Sequence, residues 1–581
     1  MPPGDEQGER APFSVEEQTM SKFRFVAGTV LLMGLAACQD ALVVQDVNDP
    51  DRDRALSRPS DVETFIGNTY AQVHNATIGG NNNGNADNNN LQTQLQVMGM
   101  ENTSALANFA MGPRGAIPRT PIENTRNSTG DAGNYRDFVV EHRAARMATI
   151  GIAAMNKLGT LGSPGQDARA RSFARFVQGV AYGNLALAYD SASLVSETDD
   201  PQAVNPLSDY KTVVAAAYVM LDSAIAIARA NSGSFPLPST WINGNALDTT
   251  GFFRLIRSYK ARFRASVART PAERAAADWN AIIADANTGI TADFNIAMNP
   301  TGGWDVAWPV QAYATGPANW HQLSQFWMGM ADKSGGYDAW LATTPANRAP
   351  FLVVTDDKRF PQGATRGAQN ADTLRPNYRT FTGFPYVRNR QSGEDQPGQP
   401  LQISMYDFYR SRAFFVAGRI GNYPIMTRAE IRLYAAEGYV RTGNIAAAAV
   451  RIDSSRVTNG GLPQLANVIA DTLTPLPGAT ACVPHVPDAA AAGGPYKASK
   501  CGNLWDALKW EYRMETMYTG YGMWYFAGRG WGDLPEGTAL YWPVPYQEMD
   551  TRRQTFYSSG GVGGVGGAPH GNYGLYAGGV Y

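Results

Sequence analysis

Five consecutive blocks between residues 135 and 289 carry apolar residues at helical spacing. A chain written that way has to bury one stripe of each helix against its neighbours. Residues 135–158 include Phe138, Val139, Ala145, Ile150 and Met155, and residues 167–192 include Phe173, Phe176, Val180, Leu185 and Tyr189. Blocks at 208–230 and 251–268 follow. The fifth, 271–289, opens on Pro271 with Glu273 in its first turn, a favoured helix start. Helical spacing returns at 427–457 and 502–519, and Ser60-Asp61 caps an earlier helix carrying Val62, Phe65, Ile66 and Tyr70. Small residues stand where helices must approach closely. Gly179-x-x-Tyr182, Ala186-x-x-Tyr189, and Tyr434-Ala435-Ala436 followed by Gly443-Asn444 and Ala446 to Ala449 resemble tetratricopeptide helix pairs. The strict ~34-residue period of that repeat is missing. The expected fold is mainly α: a tetratricopeptide-like helical scaffold with an irregular, loop-rich part.

Residues 291–426 supply the irregular part. Gly, Pro, Asn and aromatic residues dominate there, so loops, short helices and a few short strands are expected. A long loop-rich block in a helical protein is usually functional. Trp304, Trp308, Trp320, Trp327 and Trp340 fall within it, with Tyr313 and Tyr337. Most should be core, and one or two should face a ligand, because binding pockets are apolar surfaces with a few placed polar groups. Asn319, His321 and Asp338 are the polar candidates nearby. The expected ligand-binding set is therefore Trp304, Trp308, Trp320, His321, Trp327, Asp338 and Trp340. The stretch Gly79 to Asn90, GGNNNGNADNNN, breaks all periodicity and is expected to rim the same region. Its Asp87 does not sit in a calcium-loop spacing. The tail from Ser558 is Gly-rich and expected to be loosely draped.

Near the amino terminus, Ser21-Lys22-Phe23-Arg24 precedes an apolar stretch from Phe25 to Leu35, and Leu35-Ala36-Ala37-Cys38 follows. This is a lipobox behind a secretory signal, too short to span a bilayer. It predicts cleavage before Cys38, acylation of that cysteine and attachment to a membrane surface by lipid chains. Met1 to Thr19 is acidic and polar and belongs to no signal peptide, so Met20 is the better start. Gln39, rather than Asp, follows the cysteine and favours the outer membrane. The chain holds 49 basic and 51 acidic residues, of which Arg10, Lys22, Arg24, Asp5, Glu6, Glu9, Glu16 and Glu17 precede Cys38. The remainder balances, which leaves no electrostatic footprint for nucleic acid.

With Cys38 assigned to lipid, Cys482 and Cys501 remain, and an even pair in an exported protein predicts a disulfide. It would close the Pro/Ala/Gly-rich stretch Val483 to Lys500. No Cys–His spacing resembles a zinc site, and the five His form no HExxH pair. No GxSxG and no phosphate-binding GK[ST] loop is present. Glu511 and Glu515 stand four apart on one helix face, with Arg513 between them. Paired carboxylates can hydrolyse glycosides, but a helix face satisfied by neighbouring cations is the better reading. No catalytic residue, metal or cofactor is expected.

Several separated segments then resemble the RagB/SusD family of outer-membrane nutrient-binding lipoproteins. Val47-Asn48-Asp49-Pro50 precedes the Ser60 helix ending Gly67-Asn68-Thr69-Tyr70. Ala429-Glu430-Ile431-Arg432-Leu433-Tyr434-Ala435-Ala436-Glu437-Gly438-Tyr439 runs into Arg441-Thr442-Gly443-Asn444, with Arg456 and Gly460-Gly461-Leu462 beyond. Glu511-x-Arg513-x-Glu515-x-x-Tyr518-x-Gly520 is followed by Leu540-Tyr541-Trp542-Pro543-Val544-Pro545 and Glu548. Thr519, Gly522 and Tyr525 depart from the pattern, standing where that family commonly has Glu, Arg and Asp. The resemblance implies a leader and signal at 1–37, a tether at 38–58 and a SusD-like domain at 59–581. Within that domain, 59–290 and 427–520 form the scaffold, 291–426 the ligand-binding part and 521–581 a C-terminal segment. It also implies a non-catalytic surface protein that binds oligosaccharide or peptide and passes it to a SusC/RagA-like TonB-dependent transporter. A secreted glycan-active hydrolase and a tetratricopeptide-type envelope scaffold are the alternatives.

Overall fold

The computed structural model describes residues 52–79, 91–104, 111–115, 119–127, 133–200, 203–305, 321–372, 385–390 and 403–564. The lipobox and Cys38 lie outside them. From Arg58 onward the chain forms one compact unit.

Helices dominate the scaffold. They are α1 (Pro59–Gly67), α2 (Thr69–Thr77), α3 (Tyr135–Leu158), α4 (Pro164–Ala188), α5 (Tyr210–Ala230), α6 (Thr249–Ser266), α7 (Trp279–Asn287), α8 (Arg428–Arg441), α9 (Ile445–Arg456), α10 (Leu504–Thr516) and α11 (Met523–Trp531). Most starts have a local cause. Ser163, Asp209, Asp248, Asp278, Thr427 and Asn444 accept first-turn amides of the helices they precede. Asn503 and Asp506 form a reciprocal capping box on α10. Two expectations shift. Ser60 is not a cap: Pro59 opens α1 after Arg58, and the helix breaks at Asn68 before α2. The expected helix at 271–289 is two, Pro271–Ala275 and α7, because Asp278 caps a fresh start.

Neighbours in sequence pack as neighbours in space, α3 on α4, α4 on α5, α6 on α7 and α8 on α9, and α8 also packs on the distant α7 and α10. The expected small residues sit at these crossings. A methyl on Gly179 would overlap Leu221 of α5, and one on Gly183 would overlap the Phe263 ring of α6. Helix α5 is long and apolar enough to cross a membrane, yet Val213, Ala217, Leu221, Ala224 and Ala228 form an interior stripe.

Strands are short throughout. Among the described residues, five antiparallel ribbons pair β1 (Asn102–Ser104) with β5 (His321–Leu323), β2 (Ser191–Ser193) with β3 (Leu207–Asp209), and β4 (Phe294–Met298) with β8 (Gly421–Met426). The others pair β6 (Val387–Asn389) with β7 (Tyr406–Phe408) and β9 (His485–Pro487) with β10 (Ser499–Cys501).

Buried Arg–carboxylate forks tie the layers together. Arg262 of α6 grips Glu430 of α8 at 2.7 and 2.8 Å. Arg274 grips Glu437 at 2.8 and 2.6 Å. Arg359, in the loop-rich part, reaches Glu511 of α10 at 2.7 and 2.9 Å and is also held by Asp357 at 2.9 and 2.7 Å. Such bidentate pairs specify geometry as well as adding attraction. Thr519, Gly522 and Tyr525 are all buried. Thr519 Oγ1 donates to the Thr516 carbonyl, Tyr525 donates to the Ala539 carbonyl, and Gly522 lies against Leu95.

Candidate functional site

The two segments expected to face a ligand meet at one histidine. His74, in the last turn of α2, is buried. Its Nε2 donates to the Asp305 carbonyl at 2.7 Å, and its ring lies 5.1 Å from the half-buried Trp304 ring. Burial pushes the imidazole down to about 4, against the pull of the Asp305 hydrogen bond, so it is neutral at pH 7. Gly79, where the Asn-rich stretch begins, lies so close to this ring that a methyl group there would stand 2.4 Å from it. At the far end of the Trp-rich stretch, His321 pairs with Ser104 as β5 joins β1. Trp308, Tyr313, Asn319, Trp320 and residues 80–90 lie outside the described residues, as does the His321 side chain.

Trp327 and Trp340 are interior. Trp327 lies between Trp510 and Trp524, with the Arg513 guanidinium 3.5 Å from its ring centre. Trp340 stacks on Tyr337, and Arg348 covers it at 4.2 Å. These two indoles have their faces taken by protein.

Asp338 stands in the open. It lines a cavity of about 470 Å³ with Lys333, Thr480, His485, Ser499 and Lys500, within the range of small-molecule sites. The cavity exists because two distant stretches meet: Asp338 Oδ1 accepts the Ser499 amide at 2.7 Å and its hydroxyl at 2.6 Å. Behind it, buried Asp332 accepts the amides of Tyr337 and Val354 and the Ser334 hydroxyl, which fixes the turn that presents Asp338. His485 Nδ1 donates to the Asp332 carbonyl at 2.8 Å, so its Nε2 is the acceptor in the neutral ring. The expected disulfide is formed, with Cα atoms of Cys482 and Cys501 5.8 Å apart. It lies at the base of the β9–β10 ribbon and brackets one wall of the cavity. Carboxylate and imidazole acceptors beside hydroxyl and ammonium donors suit a ligand rich in hydroxyl or amide groups. No cluster of metal-ligating side chains occurs among the described residues.

Glu511 and Glu515 are occupied by the protein. Besides Arg359, Glu511 accepts from Ser455 at 2.7 Å. Burial pushes its carboxyl up, opposed by Arg359. Glu515 accepts from Ser455, Asn459 and Tyr386. Burial acts on it in the same direction, but Arg410 and Arg359 outweigh that and hold it below the ordinary range. Both carboxylates are posts for the loop-rich part.

No protein-family model and no curated protein matches the chain. Solved structures do. Its structural neighbours are proteins of the SusD superfamily. One from Bacteroides thetaiotaomicron VPI-5482 shares 14% identity at a TM-score of 0.49, over 85% of this chain and 96% of the other. Another, from Bacteroides vulgatus ATCC 8482, shares 12% at 0.47, over 85% and 90%. Surface glycan-binding protein A from Bacteroides uniformis shares 12% at 0.42, over 85% and 97%.

The residues that sequence reading missed are Lys333, Thr480, His485, Ser499 and Lys500. The pattern held one pointer to them: Cys482 and Cys501 bracket the ribbon that carries three of the five. Nothing local linked that ribbon to Asp338, 161 residues away.

Proposed function

We propose that this protein is a lipid-anchored, surface-exposed receptor that captures an oligosaccharide or peptide nutrient and hands it to a TonB-dependent outer-membrane transporter. The observation that carries the reading is the polar cavity at Asp338, built where the loop-rich part meets the disulfide-bracketed ribbon on a helical scaffold. The lipobox at Cys38 and the ordered motifs from Val47 to Glu548 support the anchoring and the delivery role. Trp304, Trp308, Trp320 and His321 complete the ligand surface in this reading, and Asp338 supplies its charged acceptor. Glycan hydroxyls donate to the carboxylate and accept from Lys333 and Lys500.

Asp338→Ala removes that acceptor from an exposed position. A hydrogen bond to a charged group is worth about 1.5–3 kcal/mol, so ligand affinity should fall about tenfold or more. Calorimetric titration of a glycan and peptide panel reads the effect, and the melting curve should fall only by the loss of the two surface bonds to Ser499. Equal affinity of the wild type and Asp338→Ala for every bound ligand would overturn the assignment. Co-purification of a plug-and-barrel transporter with the acylated protein from native membranes tests the delivery step.

A further inference from the structure

The charges around the Asp338 cleft are unequal. Lys333 is paired with Asp356 at 2.5 Å, and Lys500 with Asp488 at 3.0 Å, so each ammonium is balanced by a carboxylate beside the cavity. Asp332 and Asp338 remain on the wall itself. Asp332 is buried and its oxygens are taken by Ser334 and by the amides of Tyr337 and Val354. Asp338 is exposed and differs. Its Oδ1 accepts both bonds from Ser499, and its Oδ2 has no partner among the described residues. These groups together leave the cleft with an excess of negative charge.

A second unspent acceptor lies nearby. His485 donates from Nδ1 to the Asp332 carbonyl, which leaves Nε2 of the neutral ring as an acceptor with no partner among the described residues. The ribbon brings the two acceptors to one side. His485 is paired with Cys501 across β9 and β10. Ser499 stands two residues from Cys501, and alternation puts both on one face of β10. Ser499 in turn holds the Asp338 carboxylate. Diagonal neighbours on such a ribbon lie about 7–8 Å apart, close enough for one sugar ring to meet both acceptors. Apolar side chains are few on this wall, chiefly Tyr337 and Ala479. Bound peptides draw on side-chain pockets as well as backbone bonds, so the lining favours a glycan.

We infer that the cleft selects glycans that carry a protonated amine, such as oligosaccharides of glucosamine. The ammonium donates to Asp338 Oδ2, a charge-assisted bond stronger than one from a hydroxyl, and His485 Nε2 accepts from the same group or from the hydroxyl beside it. This rests on the receptor reading above and names the substrate class of the same site.

Calorimetric titration of the full mature chain near neutral pH tests it, with the trimer of glucosamine, its N-acetylated counterpart and cellotriose as probes. The three share one backbone and differ in a single substituent on each ring. The wild type should bind the glucosamine trimer at least fivefold more tightly than either neutral trimer. Added salt should shrink that preference, because the pair is exposed. Asp338→Asn keeps an oxygen for Ser499 and removes the charge, and it should bring the glucosamine trimer down to the affinity of the neutral ones. His485→Phe should weaken the glucosamine trimer at least threefold, and unchanged affinity there removes His485 from the site. A preference that survives in Asp338→Asn, or binding of none of the three by the wild type, overturns the inference. Tighter binding of neutral trimers or peptides, lost in Asp338→Ala, overturns the amine preference and leaves the receptor reading intact.

Discussion

Glu101 is a buried carboxyl with no cation beside it among the described residues. Its Oε1 accepts the Tyr518 amide, and burial, opposed only by that bond, pushes its pKa up to about 8. Asp137 is similar: burial, opposed by Arg136, Tyr521 and the Leu91 amide, pushes it up to about 7. An unfolded glutamate releases its proton near pH ~4.3. Between that value and about 8, the folded state therefore binds more protons than the unfolded one. Stability conferred by the Glu101 proton is complete below the unfolded value, declines as pH rises through the window and is gone above about 8. Glu101→Gln keeps the shape and removes the titration. Denaturant unfolding at pH 5 and pH 8 should show a smaller loss for the variant than for the wild type. An identical loss in both would assign the buried proton elsewhere. Arg–carboxylate forks such as Arg274–Glu437 behave oppositely. Burial acts to raise the Glu437 carboxyl, but Arg274 holds it below its ordinary range.

At the scale of helices, the close crossings depend on missing side chains. Gly183 of α4 faces the fully buried Phe263 of α6, and an added Cβ would come within 2.2 Å of that ring. Protein interiors are close-packed, so neither helix can simply give way. Gly183→Val should destabilise the protein by about 1–3 kcal/mol through overpacking. Gly367, in the short helix Arg366–Asp372, has open space where its Cβ would be. Gly367→Ala should therefore be neutral or stabilising by up to about 1 kcal/mol, since glycine weakens helix interiors. Urea midpoints of the two variants measure the contrast, and equal shifts would remove the packing argument. Helix α11 shows the other side of local coding. Its sequence, Met523 to Trp531, contains two glycines, and every residue in it is buried, so its own apolar stripe does not mark which face meets the core.

Across the whole molecule, distant segments are joined by covalent and ionic links. The Cys482–Cys501 bridge closes a stretch of 19 residues in sequence separation, and loops near that length are worth about 3 kcal/mol by chain entropy. It also ties together the two sides of the ribbon that carries His485, Ser499 and Lys500. The double variant Cys482→Ser, Cys501→Ser should unfold at lower denaturant and bind the cleft ligand more weakly. Reduction of the wild type should reproduce both effects. Lower stability with unchanged affinity would limit the bridge to a staple.

The helical scaffold was legible because its signal is local. Apolar spacing and the Pro271 start act within a few residues along the chain, while the one cap read there, Ser60, is not a cap in the fold. The Cys482–Cys501 pair was likewise readable from the sequence. The candidate cleft was only partly readable. Asp338 was identified, but its partners Ser499 and His485 come from a ribbon far away in sequence, and only packing brings them together. Burial made the same kind of decision among the tryptophans. Trp304, Trp327 and Trp340 look alike in a loop-rich stretch, yet the last two are enclosed by Arg513 and Arg348 while Trp304 stays half-buried on His74. Periodicity reports what a residue does to its own helix. Which polar groups converge, and which aromatic faces are already covered, depends on contacts between residues hundreds of positions apart, and those exist only in the folded chain.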